Sequence, residues 1–326
     1  MIHIYLARGG AIERLEVGAR DALPTESLWL DVLRPTEEER ARIEAAYGLQ
    51  LPSPEEMREI EPSSRLYVEG DSTFMTATVL SQADGPRPVS DAITFILVRR
   101  TLITLRHTEP RPLAACAGRL MRQPAGVTGG EDVFITLLDA FVDRLADLAE
   151  KVGAEIDRVS AMIFGESSGD GDRRDLQNVI TALGRNEDLA SAVRESLLTL
   201  TRLTSFHVAT FDAPTKKEDK DMKVRVRSLQ RDINSLSEHV AYESHKINFL
   251  LDATLGLINI DQNRIIKIFS IVAVIFLPPT LVASMYGMNF HNMPELSWEW
   301  GYPAALFLMI VSAIVPLIYF RRKKWF

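Results

Sequence analysis

The side chains whose types and spacing could do chemistry form one stripe on an apolar segment near the C-terminus. In steps of three and four residues, the spacing of one helix face, the stripe mixes small, polar and apolar groups that lipid alone would not select. Its members are Asn263, Ile266, Phe269 with Ser270, Ala273, Leu277, Thr280 and Ser284. The pattern is typical of two structures, a face packed against another helix or the wall of a path for water and ions.

Two prolines on the same segment favour the water-lined path. Pro278 and Pro279 have no backbone N–H to donate, so carbonyl groups one helical turn earlier lose their usual partner. Inside a bilayer these carbonyls must bind protein or water. A path that contains water satisfies them.

Most of the stripe lies on the first of two apolar runs that are long enough to cross a membrane. Residues 268–285 and 301–320 carry no charged side chain, and about 20 apolar residues span a hydrocarbon core. A buried core helix is the alternative for each run. The position of both runs at the C-terminus, followed by the basic residues 321–324, favours membrane spans.

The basic cluster also predicts the orientation, because Lys and Arg beside a span are retained on the cytoplasmic side. Two spans return the chain to the side on which it starts, so we expect both termini in the cytoplasm. The loop between the spans, which begins MYGMNFHNMPEL at Met285, contains no Lys or Arg and is expected outside. The sequence thus predicts a multi-pass protein of the inner (plasma) membrane.

Common catalytic motifs are missing from the sequence. It contains no GxxxxGK[ST], HExxH, CxxC or GxSxG, and its six histidines do not cluster at metal-ligand spacing. We therefore expect no enzyme activity and no organic cofactor. The functions that remain compatible with the sequence are passive conduction of ions, sensing and scaffolding.

Charge is unevenly distributed along the 326 residues. Residues 264–326 hold six of the 37 Lys and Arg but two of the 44 Asp and Glu, which leaves 31 basic and 42 acidic residues before them. An acidic domain repels nucleic acid and attracts cations. Divalent cations, not nucleic acid, are the expected partners.

Before the spans, the pattern predicts an α+β domain followed by long helices. Capping boxes predict helices that begin at Thr36 and Ser53, each with Glu three residues later. Helical spacing over 131–164 and a second long helix over 173–209 predict a helical hairpin. Short β-rich runs occur at 2–6, 28–32, 65–80 and 92–106.

A single long helix is predicted between the soluble part and the first span. From about Lys216 to Met285 there is no proline before 278 and one glycine, Gly256. At ~1.5 Å per residue such a helix approaches 100 Å. Two helices broken near Gly256 or Asn259 are the alternative.

Four short motifs resemble those of the CorA family of magnesium and cobalt transport proteins. The family signature is a Gly-Met-Asn tripeptide at the outer end of the first of two C-terminal spans, and Gly287, Met288 and Asn289 stand there. The detailed match covers roughly residues 252–326. The motifs are YGMNF at 286–290, MPEL at 293–296, GYP at 301–303 and the ending RRKKWF.

The resemblance implies a funnel-shaped homopentamer that conducts Mg²⁺, and also Co²⁺ and Ni²⁺, inward. It also implies that the membrane potential would drive the influx and that intracellular Mg²⁺ would gate it. Each chain would have an α/β/α-like α+β cytoplasmic domain, a long stalk helix and two C-terminal transmembrane helices in the lipid bilayer. The segments are a mixed α/β domain (1–130), a helical hairpin (131–210), the stalk helix (216–264), the pore-lining span (265–286), the outer loop (287–299), the second span (300–320) and the basic tail (321–326).

By this resemblance, Gly287, Met288 and Asn289 form the selectivity entrance. Magnesium loses its water shell reluctantly, so a neutral amide oxygen that accepts hydrogen bonds from that shell suits the entrance better than a carboxylate. Glu295 and Glu299 would attract cations from the loop without trapping them, the alternative being an ordinary solvated loop. Pore-lining positions are Asn263, Ile266, Phe269, Ala273, Leu277 and Thr280.

The resemblance further implies regulation by the transported ion. Asp252 matches an acidic residue that, in relatives, helps to bind Mg²⁺ between neighbouring subunits, and an ordinary solvated carboxylate is the alternative. Asp84 and Asp91 are the candidate partner acids.

Two other functions fit parts of the pattern. One is a proton-coupled Zn²⁺ transporter of the same superfamily, which shares the architecture but usually lacks the MPEL-type loop. The other is a membrane-tethered sensor or scaffold whose spans serve as anchors. Flux of ions through the purified protein separates them.

Overall fold

The computed structural model describes most of the chain. The residues outside the description are 9, 17–22, 25, 84, 86, 125, 166–175, 211–216, 290–292 and 324–326, together with the side chains of 217–221 and 295–296. The described residues form two compact units, Met1–Leu251 and Asp252–Phe326.

The first unit contains a mixed seven-stranded sheet in the order β2-β1-β3-β7-β6-β5-β4. Strands β3 and β7 are parallel, with Asp31 opposite Thr104, and every other neighbouring pair in this sheet is antiparallel. The strands are β1 (Ile2–Arg8), β2 (Ala11–Glu16), β3 (Trp29–Leu33), β4 (Leu66–Glu69), β5 (Ser72–Gln82), β6 (Val89–Val98) and β7 (Thr101–Arg106).

Two of the predicted β-rich runs are hairpins. The run 65–80 turns at Gly70, whose φ is 57°, and the run 92–106 turns at Arg99, whose φ is 52°. Strand β2 was not predicted. Its sequence AIERLE is charged and mostly exposed at the sheet edge, so it lacks the alternation that identifies a half-buried strand.

Helices cover both faces of the sheet. The short helices α1 (Glu37–Tyr47), α2 (Pro54–Arg58) and α3 (Pro62–Arg65) follow β3, and Ile43, Tyr47 and Met57 join one core with Leu30 and Val32. Both predicted capping boxes, at Thr36 and Ser53, are confirmed.

The opposite face is packed by long helices. These are α4 (Arg111–Arg122), α5 (Gly130–Phe164) and α6 (Leu176–Thr210). The ring of Phe95 on β6 meets Phe134 and Phe141 of α5 edge to face at 5.6 and 6.3 Å, and the Thr199 hydroxyl of α6 donates to the Thr78 carbonyl. The expected α/β/α arrangement is confirmed.

Helix α7 (Lys217–Tyr286) is continuous over 70 residues. The alternative of a break near Gly256 or Asn259 is wrong, because both positions lie within regular helix. A short 3₁₀ helix (Pro294–Ser297) and α8 (Gly301–Arg322) complete the described chain.

Candidate pore segment and outer loop

Two helices have the length and composition of membrane spans. Both α7 and α8 contain an 18-residue window of mean hydropathy 2.3. In α7 6% of that window is buried, and in α8 none is. A core helix of a soluble protein buries most of such a window, so the alternative of two core helices does not fit.

The predicted stripe lies on the exposed side of α7. All six predicted pore-lining side chains, at 263, 266, 269, 273, 277 and 280, are exposed in the single chain. Phe269 is 70% exposed and Leu277 is 73% exposed. The structure therefore brings these residues together on one face that this chain leaves uncovered.

The opposite side of the same helix is partly covered. Ile271 is 4% exposed, and the neighbours at helical spacing from it, Lys267, Ile275, Pro278 and Val282, are less exposed than the stripe. Because the helix has a covered face and an uncovered face, the stripe does not serve as a packing face within one chain. The exposure of the stripe is compatible with a face that packs against another chain.

Helix α8 has a covered stripe that the sequence argument missed. Ala305 is 9% exposed, and the less exposed positions recur every three or four residues around it. The signal in the sequence is this spacing of mostly small side chains. The less exposed positions of α8 are Gly301, Ala305, Met309, Ser312, Ala313, Pro316 and Phe320.

The prolines do not interrupt α7. Pro278 and Pro279 lie inside the helix, so the Val274 and Ile275 carbonyls lack the N–H donors that other residues would supply. One residue later, the Thr280 hydroxyl donates to the Phe276 carbonyl at 2.7 Å. Its oxygen still has lone pairs to accept from water on the exposed face.

The tripeptide follows directly after the end of α7. The Gly287 N–H donates to the Ala283 carbonyl at 3.0 Å, and the Met288 N–H donates to the Met285 carbonyl at 3.3 Å. The Asn289 residue is exposed, and no hydrogen bond joins its amide to any part of the chain that the structure describes. Because the residue is exposed, an external ligand can approach it.

Gly287 makes a close contact at the end of α7. It does not adopt the positive φ that favours glycine. A Cβ at this position would lie 3.2 Å from the Ala283 carbonyl oxygen. The glycine therefore permits a close approach to the last turn of the helix.

The remaining loop residues are only partly described. Glu299 is exposed, as are Trp298 and Trp300 beside it. Glu295 lies in the 3₁₀ helix and its side chain is outside the description, as are residues 290–292. The expected cation attraction by Glu295 and Glu299 stays a prediction.

The candidate regulatory acids belong to different parts of the chain. Asp252 is exposed on α7. The Asp91 carboxylate accepts from the Ala92 N–H at 2.9 Å, and Asp84 is outside the described residues. Within the described part of the chain, no three His, Cys, Asp or Glu side chains are grouped to hold a metal ion.

The lone cysteine does not offer nucleophilic chemistry. Cys116 is buried in α4, and burial raises the pKa of its thiol to about 12. The thiol therefore stays protonated at neutral pH, where only a thiolate would be nucleophilic.

Comparison with known proteins agrees with this architecture. The family model described as CorA-like Mg2+ transporter protein matches residues 25–322. Magnesium transport protein CorA of Yersinia pseudotuberculosis is 34% identical over 325 residues, and that of Escherichia coli K12 is 32% identical over 325 residues, with 100% of each chain covered in both cases.

A solved structure shares the fold over the whole chain. The complete structure of the CorA magnesium transporter from Methanocaldococcus jannaschii superimposes with a TM-score of 0.76 at 18% identity, covering 100% of this chain and 99% of that one. Together with the family match and the full-length identity to named relatives, the fold leads to one conclusion: the chain belongs to the CorA family of Mg²⁺ transporters.

Proposed function

We propose that several copies of this chain form a membrane pore that admits Mg²⁺, lined by the exposed stripe of α7. The observation that carries the proposal is the two-sided character of α7 within its apolar segment. One side is partly covered, while the stripe from Asn263 to Thr280 is open and leads towards the exposed amide of Asn289. The family membership supports magnesium as the ion.

Self-association follows from the same stripe. Thr280, Ser270 and Ser284 of the stripe lie within the apolar run and would face lipid if the chain were alone, where polar groups are costly. Copies arranged around a common axis remove these hydroxyl groups from lipid and line a central path with them. A homopentamer is the number of copies that the family resemblance implies.

The entrance would select the hydrated ion. Magnesium holds its water shell tightly, so a ring of Asn289 amide oxygens accepts hydrogen bonds from the shell without displacing it. Glu299, exposed in the loop, and Glu295 would raise the local cation concentration from outside the pore.

The membrane potential is sufficient to drive inward movement. Moving one elementary charge through a potential of 100 mV releases ~2.3 kcal/mol of free energy, so the inward movement of a divalent cation releases about twice that amount. This requires the topology predicted above, with both termini in the cytoplasm and the loop outside a plasma membrane.

Leu277 and Phe269, the most exposed apolar side chains of the stripe, would form a constriction that excludes water. We expect Leu277→Asn to raise basal Mg²⁺ flux several-fold, because a polar ring lowers the cost of wetting a narrow pore. Flux into proteoliposomes measures the change. Ile268→Asn is a matched control, since Ile268 is exposed on α7 and, nine residues before Leu277, lies on the other side of the helix from the stripe. Equal flux in wild type and Leu277→Asn would assign the stripe to packing between chains.

Asp252 would contribute to inhibition by intracellular Mg²⁺. Copies of this exposed carboxylate, together with Asp91 or Asp84 of a neighbouring copy, would repel one another until Mg²⁺ bridges them. We expect Asp252→Lys to weaken the protection that Mg²⁺ gives the cytoplasmic domain against proteolysis, because a fixed ammonium replaces the ligand. The exposed acid Asp232 on the same helix provides the control Asp232→Lys. If Mg²⁺ protects wild type and Asp252→Lys at the same concentrations, Asp252 has no part in sensing.

The experiment that tests the proposed function compares ions in reconstituted protein. Proteoliposomes are exposed to Mg²⁺, Co²⁺, Ni²⁺ or Zn²⁺, each with and without a pH gradient. We expect Mg²⁺ entry that does not need the gradient, with Co²⁺ and Ni²⁺ as further substrates. Entry of Zn²⁺ that requires a pH gradient would favour the proton-coupled carrier, and the absence of flux for every ion would favour a sensor or scaffold.

A further inference from the structure

The part of α7 that belongs to the first unit buries a carboxylate oxygen without a partner among the described residues. Glu243 is 5% exposed, and its Oε2 atom makes no hydrogen bond to any of them. The adjacent Ser244 is equally buried, and its hydroxyl is also unpaired within the described chain. Two consecutive unsatisfied polar side chains on one helix are unusual, because each loses its water without a replacement.

The surroundings of Glu243 are apolar. Its carboxylate faces a narrow gap between α5, α6 and α7 that has no room for a water molecule. On α5, Gly153 is a direct neighbour of the carboxylate, since a Cβ there would lie 3.4 Å from the Glu243 Oε1 atom, an ordinary contact distance. The gap is lined by Ala149, Val152, Ala190, Val193 and Val240. An ionised carboxylate in such a gap destabilises the packing unless it finds a counter-charge.

A cation lies one helical turn away. Lys246 donates to the Asp157 carboxylate of α5, and this hydrogen bond, together with the negative charges of Asp157 and Glu243, raises the pKa of Lys246. Asp157 is 72% exposed, so its charge is well solvated without the lysine. Residues 243 and 246 are three positions apart, which places them on one face of α7 and within reach of each other.

We propose that Lys246 exchanges between two carboxylates, pairing with Asp157 in the packing seen here and with Glu243 when the gap between α7 and α5 opens. Opening exposes Glu243 to water and to Lys246, which offsets the weaker packing between the helices. Glu243 thereby destabilises the closed packing and stabilises the open one. This exchange is a property of the packing of α7 and does not require ion flux.

A double-mutant cycle on the full-length protein in detergent tests the exchange through the apparent midpoint of thermal unfolding. We expect Glu243→Gln to raise the midpoint by about 2–4 °C, because an amide is easier to bury than an unpaired carboxylate. Asp157→Asn should change the wild-type midpoint by less than about 2 °C, since Lys246 turns to Glu243, but should lower it more in the Glu243→Gln background.

Two further arms separate the proposal from a general packing effect. Glu238→Gln makes the same chemical change at an exposed position of α7 and should leave the midpoint unchanged. Hydrogen exchange of the amides around 243 and 153 should slow in Glu243→Gln, and in Glu243→Met if the glutamine variant folds poorly. Additive effects of the two substitutions, or faster exchange in both Glu243 variants, would overturn the proposal.

Discussion

Asn289→Ala is expected to remove selective Mg²⁺ uptake while the protein still assembles. The Asn289 side chain is exposed and unpaired in the described chain, so its truncation takes away a ligand for hydrated Mg²⁺ without removing a core contact. A loss of about 1.4 kcal/mol of binding free energy weakens affinity tenfold, and each copy in a ring loses the same interaction. We therefore expect uptake to fall by much more than tenfold.

The assay for this variant is Mg²⁺ entry into proteoliposomes, normalised to correctly inserted protein. Asn248→Ala is the matched control, because Asn248 is an exposed asparagine of α7, far along the chain from the loop, whose amide donates to the Ser244 carbonyl. It should retain uptake and the same assembly on size-exclusion chromatography. Wild-type uptake by an inserted Asn289→Ala protein would exclude the entrance role.

The largest expected effect on stability is at Asp31. Its carboxylate accepts two hydrogen bonds at 2.8 Å from Arg106, through Nε and Nη2, and a third at 2.8 Å from the Thr104 hydroxyl. The side chains of Arg106 and Asp31 are 8% and 4% exposed. Removing one partner leaves a buried charge uncompensated, so we expect Asp31→Ala to lower the free energy of unfolding by about 3–5 kcal/mol.

An exposed ion pair gives the comparison for Asp31. Glu13 lies 3.7 Å from Arg8, and their side chains are 51% and 61% exposed. Ion pairs on the surface contribute little to the stability of the fold, so Glu13→Ala should change the free energy of unfolding by less than about 0.5 kcal/mol. Denaturant unfolding followed by tryptophan fluorescence measures both variants, because one of the four tryptophans, Trp29, donates its indole N–H to Thr104 at 3.0 Å beside this site. Equal midpoints would mean that the buried pair does not stabilise the sheet.

Local patterns predicted several elements well. The capping boxes at Thr36 and Ser53 depend on residues three positions apart, and the continuity of α7 depends on the scarcity of helix breakers. Turns were harder. Gly70 is an ordinary turn signal, but nothing in the sequence marks Arg99 as the site of a positive φ that divides one β-rich run into two strands.

Features that depend on distant residues could not be inferred from the sequence. The parallel pairing of β3 with β7 and the contact of Asp31 with Arg106 join residues about 75 positions apart. A charge within each of the apolar strands WLDVL and TLITLR is the only signal for that contact. In the same way, Gly153 and Glu243 become neighbours only through helix packing.

For the candidate pore, helical spacing was sufficient to predict which residues share a face. Spacing alone did not distinguish a packing face from an open one, because both select small and polar side chains. The burial of Ile271 on the other side of α7 supplies that distinction within a single chain. The role of Gly287 was also inaccessible, since it depends on the position of the Ala283 carbonyl.

The most direct measurement of the central claim is Mg²⁺ entry into proteoliposomes that contain a Mg²⁺-sensitive dye and are held at an imposed potential. With the interior negative, we expect rapid entry into vesicles that contain the wild-type protein, much slower entry when the potential is reversed, and none in protein-free vesicles. Entry at the rate of protein-free vesicles under both potentials would contradict the account.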